Sequence, residues 1–225
     1  MVNSGISNFR ESTFHYVKTR EAVVRLLSNQ QVTFEQELLL ASNLEADAQS
    51  NRGELNSGLW WLRTEAEVRQ KFGDSTRLLP IIFSTDSSHV SNKKSVKPVY
   101  VSLGVHKLKH RRSLFARKCV AYIPDASLTS ARYKATAHNF LAKRIINLKC
   151  WQILLDGLDL DVPLEFTLPS GSVVRFGLAV CFWVCDHPES QMWAQVKCNS
   201  SHSCRFCLSK RRRDGQLFFA DTVSF

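Results

Sequence analysis

The sequence has no apolar run long enough to span a membrane, no secretory leader and no internal repeat. Residues 173–185 form an apolar stretch, but they fall short of the ~18 residues that a membrane helix needs and contain Arg175. The first residues, MVNSG, show no basic region followed by an apolar one, so we expect that the chain is not secreted. These absences favour a chain that acts inside the cell and away from membranes.

Acidic residues are also scarce, with 20 Asp and Glu against 30 Lys and Arg, which gives a net charge of +10. Such an excess favours a polyanionic partner, and we expect nucleic acid, with phosphate contacts that do not depend on sequence. The alternatives are a solvated loop for the first cluster and a nuclear-import signal for the second. The basic residues cluster at Lys107, Lys109, Arg111, Arg112, Arg117 and Lys118, and at Lys210, Arg211, Arg212 and Arg213.

The seven cysteines are an odd number without a secretory leader, which is typical of a reducing compartment. Cys198, His202, Cys204 and Cys207 have a spacing that suits a tetrahedral, structural Zn²⁺ site. His202 lies close to Cys204, so His187 or Cys185 is an alternative fourth ligand, and free thiols are the alternative to a metal site. The remaining three cysteines, Cys119, Cys150 and Cys181, lie on apolar segments, and we expect them in the core.

With 225 residues and 44% hydrophobic residues, the chain can form one good-sized domain with an appendage. Residues 8–73 are predicted to be helical. Phe14, Val17, Val24 and Leu27 share one helical face, and Thr33 with Gln36 resembles a capping box that opens a helix running through Leu44. A charged helix begins near the pair Trp60 and Trp61, which we expect in the core, and ends near residues 72–73.

From residue 78 the periodicity changes to that of strands. We predict strands at 78–85, 97–104 and 117–123, a polar turn at 87–94, a helix at about 130–156, and further strands at 162–168 and 173–184, with a helix opening at 188. The buried stripe of the long helix is predicted as Phe140, Leu141, Ile145, Leu148, Trp151 and Leu155. Three antiparallel strands, a helical crossover and a fourth strand make a ribonuclease H-like core, so the predicted class is α/β (α+β) with a mixed sheet and flanking helices.

Two acids end apolar, β-branched runs of this predicted sheet. Asp86 closes the first strand and Asp186 follows the strand at 173–184. Carboxylates at the ends of adjacent buried strands suit metal-dependent cleavage or joining of nucleic acid strands. The alternative is that each acid caps a turn.

Six short segments follow one another between residues 57 and 210. They read GLWW at 58–61, PIIFSTD at 80–86, KPVYVSLG at 97–104, AYIP at 121–124, CDHPES at 185–190 and CRFC at 204–207. In this order they resemble transposases of the Plavaka and Kyakuja-Dileera-Zisupton type, relatives of the CACTA elements.

The resemblance implies a nuclear, DDE/D-type DNA transposase that cuts and joins DNA strands. It implies that Asp86 and Asp186 bind catalytic Mg²⁺ or Mn²⁺, and that DNA is the partner; self-association is a further expectation. His89 and His187 are candidates for phosphate contact. The expected organisation is a helical segment at 1–56, a ribonuclease H-like transposase core at 57–196 and a zinc-binding basic tail at 197–225.

The chain departs from the family pattern at several positions. Val105 replaces an Asn, Arg205 replaces the proline between the paired cysteines, and the basic loop is rewritten. The third catalytic acid is not found, because Asp214 and Asp221 do not match its position. We therefore expect a fragment or truncated copy that is inactive or incomplete alone; the alternative is a non-catalytic nucleic-acid-binding or protein-interaction module derived from a transposase.

Overall fold

The computed structural model describes residues 13–42, 54–86, 88–91, 94–124 and 137–185, with the backbone alone for 88–91, 94–95 and 137–140. The chain divides into two compact units, residues 1–184 and 185–225. Everything described here except Cys185 belongs to the first unit. The expected division at 56/57 and 196/197 stays a prediction.

The described residues form four helices and seven strands. The helices are α1 (Thr19–Leu27), α2 (Leu59–Phe72), α3 (Leu108–Arg111) and α4 (Ala137–Asp156). The strands are β1 (His15–Tyr16), β2 (Arg77–Thr85), β3 (Ser88–Ser91), β4 (Lys94–Leu103), β5 (Arg117–Ile123), β6 (Leu164–Thr167) and β7 (Val173–Val184). Within these ranges, none of the helices has the length and apolar character to cross a membrane.

The strands form a mixed sheet in the order β1-β5-β4-β2-β7-β6, and β3 pairs with β4. Strands β2, β4 and β5 are consecutive antiparallel neighbours, whereas β7 lies parallel to β2 on its other side. The chain reaches β7 through α4 and the short antiparallel strand β6. The predicted mixed α/β class is confirmed.

Strand β2 lies at the centre of the sheet, and its apolar run is what the sheet buries. Leu78, Leu79, Ile81 and Phe83 have no measurable solvent exposure, as expected of a strand covered on both faces. The neighbouring Pro80 has no N–H, and the pairing of β2 with β7 shifts register one residue beyond it, between Ile81 and Ile82.

Two glycines allow close approaches to this central strand. A Cβ on Gly104 would lie 2.7 Å from Cβ of Pro80, and the Gly104 N–H donates to the Pro80 carbonyl at 2.8 Å. A Cβ on Gly177 would lie 2.5 Å from Cγ1 of Val68, where α2 packs against the sheet. The glycine of the KPVYVSLG segment is therefore required by packing between β4 and β2.

The N-terminal segment differs from its prediction. Phe14 and Val17 precede α1: Phe14 stacks on Tyr16, and the Val17 N–H donates to Val120 in β5. The predicted helix from Thr33 is wrong, since only Glu35–Glu37 form a 3₁₀ turn. Tertiary contacts replace it, because the Thr33 hydroxyl donates to the Leu26 carbonyl instead of capping a helix.

The buried face of α4 also differs from its prediction. Leu141 and Leu148 are 47% and 46% exposed. The helix instead buries a stripe at four-residue spacing that includes two small residues. Of the described side chains in the predicted stripe, only Trp151 is fully buried. The buried residues are Ala142, Ile146, Cys150, Trp151 and Leu154. The prediction overlooked Ala142 and Cys150 because it considered only large apolar residues.

Three smaller predictions have mixed outcomes. The polar turn predicted at 87–94 is wrong in part, because Ser88–Ser91 pair with β4 as strand β3. Trp61 is buried as expected, whereas Trp60 is 37% exposed. Cys150 is buried, and burial raises the pKa of its thiol to about 12, while Cys119 and Cys181 are only partly buried.

Candidate functional site: the carboxylate edge and the basic corner

Asp86 lies at the end of the central strand. It directly follows Thr85, which is 4% exposed, and its own side chain is exposed. Ser84 lies opposite Val184 of the parallel strand β7 and opposite Tyr100 of β4. We call this end of the sheet, residues 84–86 with Val184, the carboxylate edge.

An aromatic cluster fixes the carboxylate edge against α4. The ring of Phe83 in β2 meets Trp151 of α4 edge to face, with centroids 5.2 Å apart, and lies 6.2 Å from Trp183 of β7. Aromatic pairs of this kind add about 0.5–1.5 kcal/mol each beyond burial. Asp86 is thus three residues beyond a rigid, buried contact.

Several predicted site residues lie outside the described residues. Among them is Asp186, which follows Val184 by two positions, as Asp86 follows Ser84. In the described part of the chain, no three His, Cys, Asp or Glu side chains come together as a metal site. Of the two phosphate candidates, His89 lies in β3, opposite Ser95. The other residues outside the described ranges are His187, Cys198, His202, Cys204, Cys207, Lys210, Arg211, Arg212 and Arg213.

The first basic cluster follows β4, which leaves β2 at the middle of that strand. Residues 104–118, which we call the basic corner, comprise the connection from β4 to β5 and the first two residues of β5. Leu103 is opposite Ile81, whereas Val99 is opposite Thr85, so the corner begins about 13 Å along the strand from the carboxylate edge. The corner is directed away from Asp86, because β4 runs antiparallel to β2. The role of its cations in nucleic-acid binding stays a prediction.

Glu54 holds the start of the basic corner in place. Its carboxylate accepts hydrogen bonds from the Leu108 N–H at 3.0 and 3.1 Å, at the first turn of α3, and pairs with Arg111 at 3.5 Å. Arg111 is only 11% exposed and also donates to the Gly104 carbonyl. Burial lowers the pKa of its guanidinium. Arg111 is therefore anchored within the fold.

A second carboxylate, Glu37, contacts the same corner. It pairs with Lys109 at 2.6 Å and with His110, whose ring also stacks on Phe34. The hydrogen bonds from Lys109 and His110 lower the pKa of Glu37 to about 2. By contrast, Arg112, Arg117 and Lys118 are exposed, and Lys107 is partly exposed.

His106 is the buried centre of the corner, with 1% exposure. The Thr33 hydroxyl uses its one proton on the Leu26 carbonyl, so the contact of 3.0 Å between Thr33 Oγ1 and His106 Nε2 requires a protonated Nε2. Nδ1 of the ring is buried without a hydrogen-bond partner. Burial, together with the charges of His110 and Arg111, lowers the pKa of His106 to about 4, so the ring is neutral at pH 7.

The sequence did not reveal the acids that organise the corner. Glu37 and Glu54 lie 72 and 54 positions before their partners Lys109 and Leu108, so no local spacing links them. Arg25, Leu114 and Phe115, which border a groove beside the corner, were also missed. The exposed apolar pair Leu114 and Phe115 between basic residues was the one available signal.

Comparison with known protein families confirms the resemblance that the six ordered sequence segments indicated. The model of the Plavaka transposase family matches residues 4–220. No curated protein and no solved structure matches the chain. The match covers nearly all of the sequence, including both ends of β2. The chain therefore belongs to the Plavaka transposase family.

Proposed function

We propose that this transposase-derived protein binds DNA and keeps two of the carboxylates of a metal-dependent strand-cleavage site, Asp86 and Asp186. The observation that supports the proposal most directly is the parallel pairing of β2 and β7, with Ser84 opposite Val184. Each acid follows its strand residue by two positions. Adjacent parallel strands that end level with each other bring the residues that follow them to the same edge of a sheet.

The strand order gives further support to a ribonuclease H-like core. An antiparallel meander of β2, β4 and β5 is followed by a helix and then by β7, which lies parallel to the first strand and beside it. In such a core the first and fourth strands present the acids. The short strand β6 at the outer side of β7 is an addition to this pattern.

The chemistry of the donors suits Mg²⁺ or Mn²⁺, which prefer carboxylate oxygens. Asp86 is exposed and follows a rigid strand, so its oxygens are accessible to a hydrated cation. A bound cation would supply positive charge to a reacting phosphate. With two acids in place of three the site is incomplete, and we expect weak cleavage by this chain alone.

A second candidate function is a non-catalytic DNA-binding module. The position of the basic corner favours it, because the corner begins level with Ile81 and β4 takes the chain away from Asp86. DNA held there would not need the carboxylate edge. Membership in a transposase family implies interaction with DNA under either proposal.

Three further parts belong to the same proposal. The Cys198, His202, Cys204 and Cys207 set would bind a structural Zn²⁺, with Cys185 or His187 as an alternative ligand. Lys210, Arg211, Arg212 and Arg213 would contact DNA or direct the protein to the nucleus, where a eukaryotic transposase acts. Self-association would bring two copies to paired DNA ends.

The experiment that tests the proposal is nicking of supercoiled plasmid in Mg²⁺ or Mn²⁺ by the full chain and by Asp86→Asn. We expect the variant to lose nicking by more than about 100-fold, because even residues that only orient metal ligands change activity 10–100-fold. Its affinity for DNA should be unchanged. The matched control is Asp74→Asn, an exposed acid after α2, which should nick as the unaltered chain does.

Either of two results decides against cleavage. Nicking that survives Asp86→Asn would remove Asp86 from the site. DNA binding without any metal-dependent nicking by the unaltered chain would favour the non-catalytic module.

A further inference from the structure

A groove borders the basic corner on the side of α1. It has a volume of about 230 Å³ and lies between α1, the 3₁₀ turn Leu114–Ala116 and the start of β5. Three of its lining residues, Arg25, Arg117 and Lys118, are cations, and none of the described residues that line it is an acid. The charge of the groove therefore complements a polyanion.

An aromatic ring is held open to solvent in this groove. The Phe115 side chain is 58% exposed, although both of its backbone polar groups are bonded. Its N–H donates to the Ser113 hydroxyl at 3.2 Å, and its carbonyl accepts from the Asn29 side-chain amide at 3.2 Å. The backbone is thus fixed from two sides while the ring remains accessible.

A second groove lies along α1, and its lining includes the acid Glu21 as well as cations. It has a volume of about 700 Å³, and Arg25 lines both grooves. Tyr16 and Lys18 line the second groove, and the Tyr16 side chain is 51% exposed. The cations Lys18 and Arg25 are seven residues apart, which corresponds to about 10 Å along a helix axis.

We propose that this surface binds one single strand of nucleic acid, with a base stacked on Phe115 and phosphates held by Arg25 and Lys118. The inference rests on the proposed function for nucleic acid as the ligand, and it adds the form of the nucleic acid and the surface. Single strands expose base faces that stack on aromatic side chains, whereas the bases of a duplex stack on each other. An exposed aromatic side chain in a groove lined by cations therefore favours a single strand over a duplex.

Arg117 lines the groove, and its guanidinium packs on the neighbouring strand. It lies over the ring of Tyr100, 5.2 Å from the centroid, on the neighbouring strand β4. Lys118 follows it in β5, opposite Val101. Side chains on successive strand positions point to opposite faces, so Lys118 shares a face of the sheet with Val101, whereas Arg117 shares the other face with Ser102.

The test measures the affinity of the full chain for a fluorescent oligo(dT) and for a duplex of equal length at several salt concentrations. We expect Phe115→Ala to weaken binding of oligo(dT) roughly 5- to 150-fold, the effect of losing one stacked base. Duplex binding should change less than about twofold. Phe115→Tyr, which keeps the ring, is the matched control and should bind as the unaltered chain does.

Two further readouts address the contacts themselves. Lys118→Gln should reduce the slope of log affinity against log salt by about 0.7, the value for one phosphate contact on a single strand. An oligonucleotide that contains a photoreactive halogenated uracil should crosslink to the peptide that contains Phe115, and poly-glutamate at equal charge should displace little of the oligo(dT).

The outcomes separate this inference from the proposed function. Oligo(dT) binding that survives Phe115→Ala, or an equal loss for single strand and duplex, overturns the inference and leaves DNA binding in place. Displacement by poly-glutamate as effective as by oligo(dT) also overturns it, since the surface would then bind any polyanion. If the unaltered chain binds neither form of DNA, the proposed function fails as well.

Discussion

At one end of β2 the chain presents Asp86, an exposed carboxylate that follows a strand buried along most of its length. Beside the middle of β2 it presents the basic corner, where Lys109, His110 and Arg111 lie against Glu37 and Glu54. The carboxylate edge thus has an acid without a described counter-charge, whereas the corner has cations that acids from earlier in the chain hold in place.

The difference shows that a run of charges in a sequence is not one functional unit. Within the corner, Arg111 is buried and supports the fold, while Arg117 and Lys118 are exposed and able to meet a ligand. Burial and partners divide one basic cluster into structural and binding residues. The predictions below test that division, beginning with the largest expected effect.

Acidification should destabilise the corner through His106. Its pKa is about 4 in the folded chain against 6.5 ordinarily, so the unfolded chain takes up the proton first as pH falls. The contribution of His106 to the free energy of unfolding is complete above pH 6.5 and declines as the pH falls toward 4. The total loss is about 3 kcal/mol, at ~1.4 kcal/mol per pKa unit. Urea unfolding at pH 7.5 and pH 4.5 measures this loss.

His106→Gln is the control for this prediction. Its side-chain amide can still donate to Thr33 but does not titrate, so the variant should lose less stability than the unaltered chain over the same pH range. Equal losses in both proteins would show that His106 is not the responsible group.

Glu54→Gln should destabilise the corner by a smaller amount. The change leaves the largely buried Arg111 without its counter-charge, and an unpaired group of this kind costs about 1–3 kcal/mol. Adding Arg111→Met should recover part of the loss, because replacing both partners removes the unpaired charge. Thermal unfolding of the unaltered chain, Glu54→Gln, Arg111→Met and the double variant gives the coupling energy between Glu54 and Arg111.

The exposed acid Glu67 of α2 provides the comparison for Glu54. Glu67→Gln should change the free energy of unfolding by less than about 0.5 kcal/mol. A similar small effect for Glu54→Gln would contradict the structural role given to Glu54.

Asp86→Asn should have the smallest effect on stability, within about 0.5 kcal/mol, because the side chain is exposed beyond the end of β2. Thermal unfolding without divalent cations checks this value. A large loss of stability would mean that Asp86 supports the fold. The contrast between the carboxylate edge and the basic corner would then disappear.

The strands could be predicted from the sequence because their signals are local. The limits of β5 and β7 match the prediction, and those of β2 and β4 lie within three residues of it, since apolar β-branched runs end at polar residues. The segment after α1 could not be predicted, because Thr33 bonds to His106 and the Leu39 N–H donates to Val105, both more than 60 positions away. Tertiary partners there replaced the local capping that the sequence indicated.

The candidate site was predictable to a similar extent. Asp86 was found because a strand end is a local signal. The position of the basic corner was not, since it depends on the direction of β4 relative to β2. The groove beside α1 combines Arg25 with Phe115, which are 90 positions apart, and only the fold brings them together.

The pairing of β2 with β7 has a consequence for how the protein folds. Ser84 and Val184 are 100 positions apart, and contacts between such distant residues form slowly because closing a long loop costs entropy. During synthesis, β2 can pair with β4 well before β7 has left the ribosome. The basic corner can therefore form early, whereas the carboxylate edge is completed only when β7 arrives, so any activity that depends on this edge appears last in the folding of the unit.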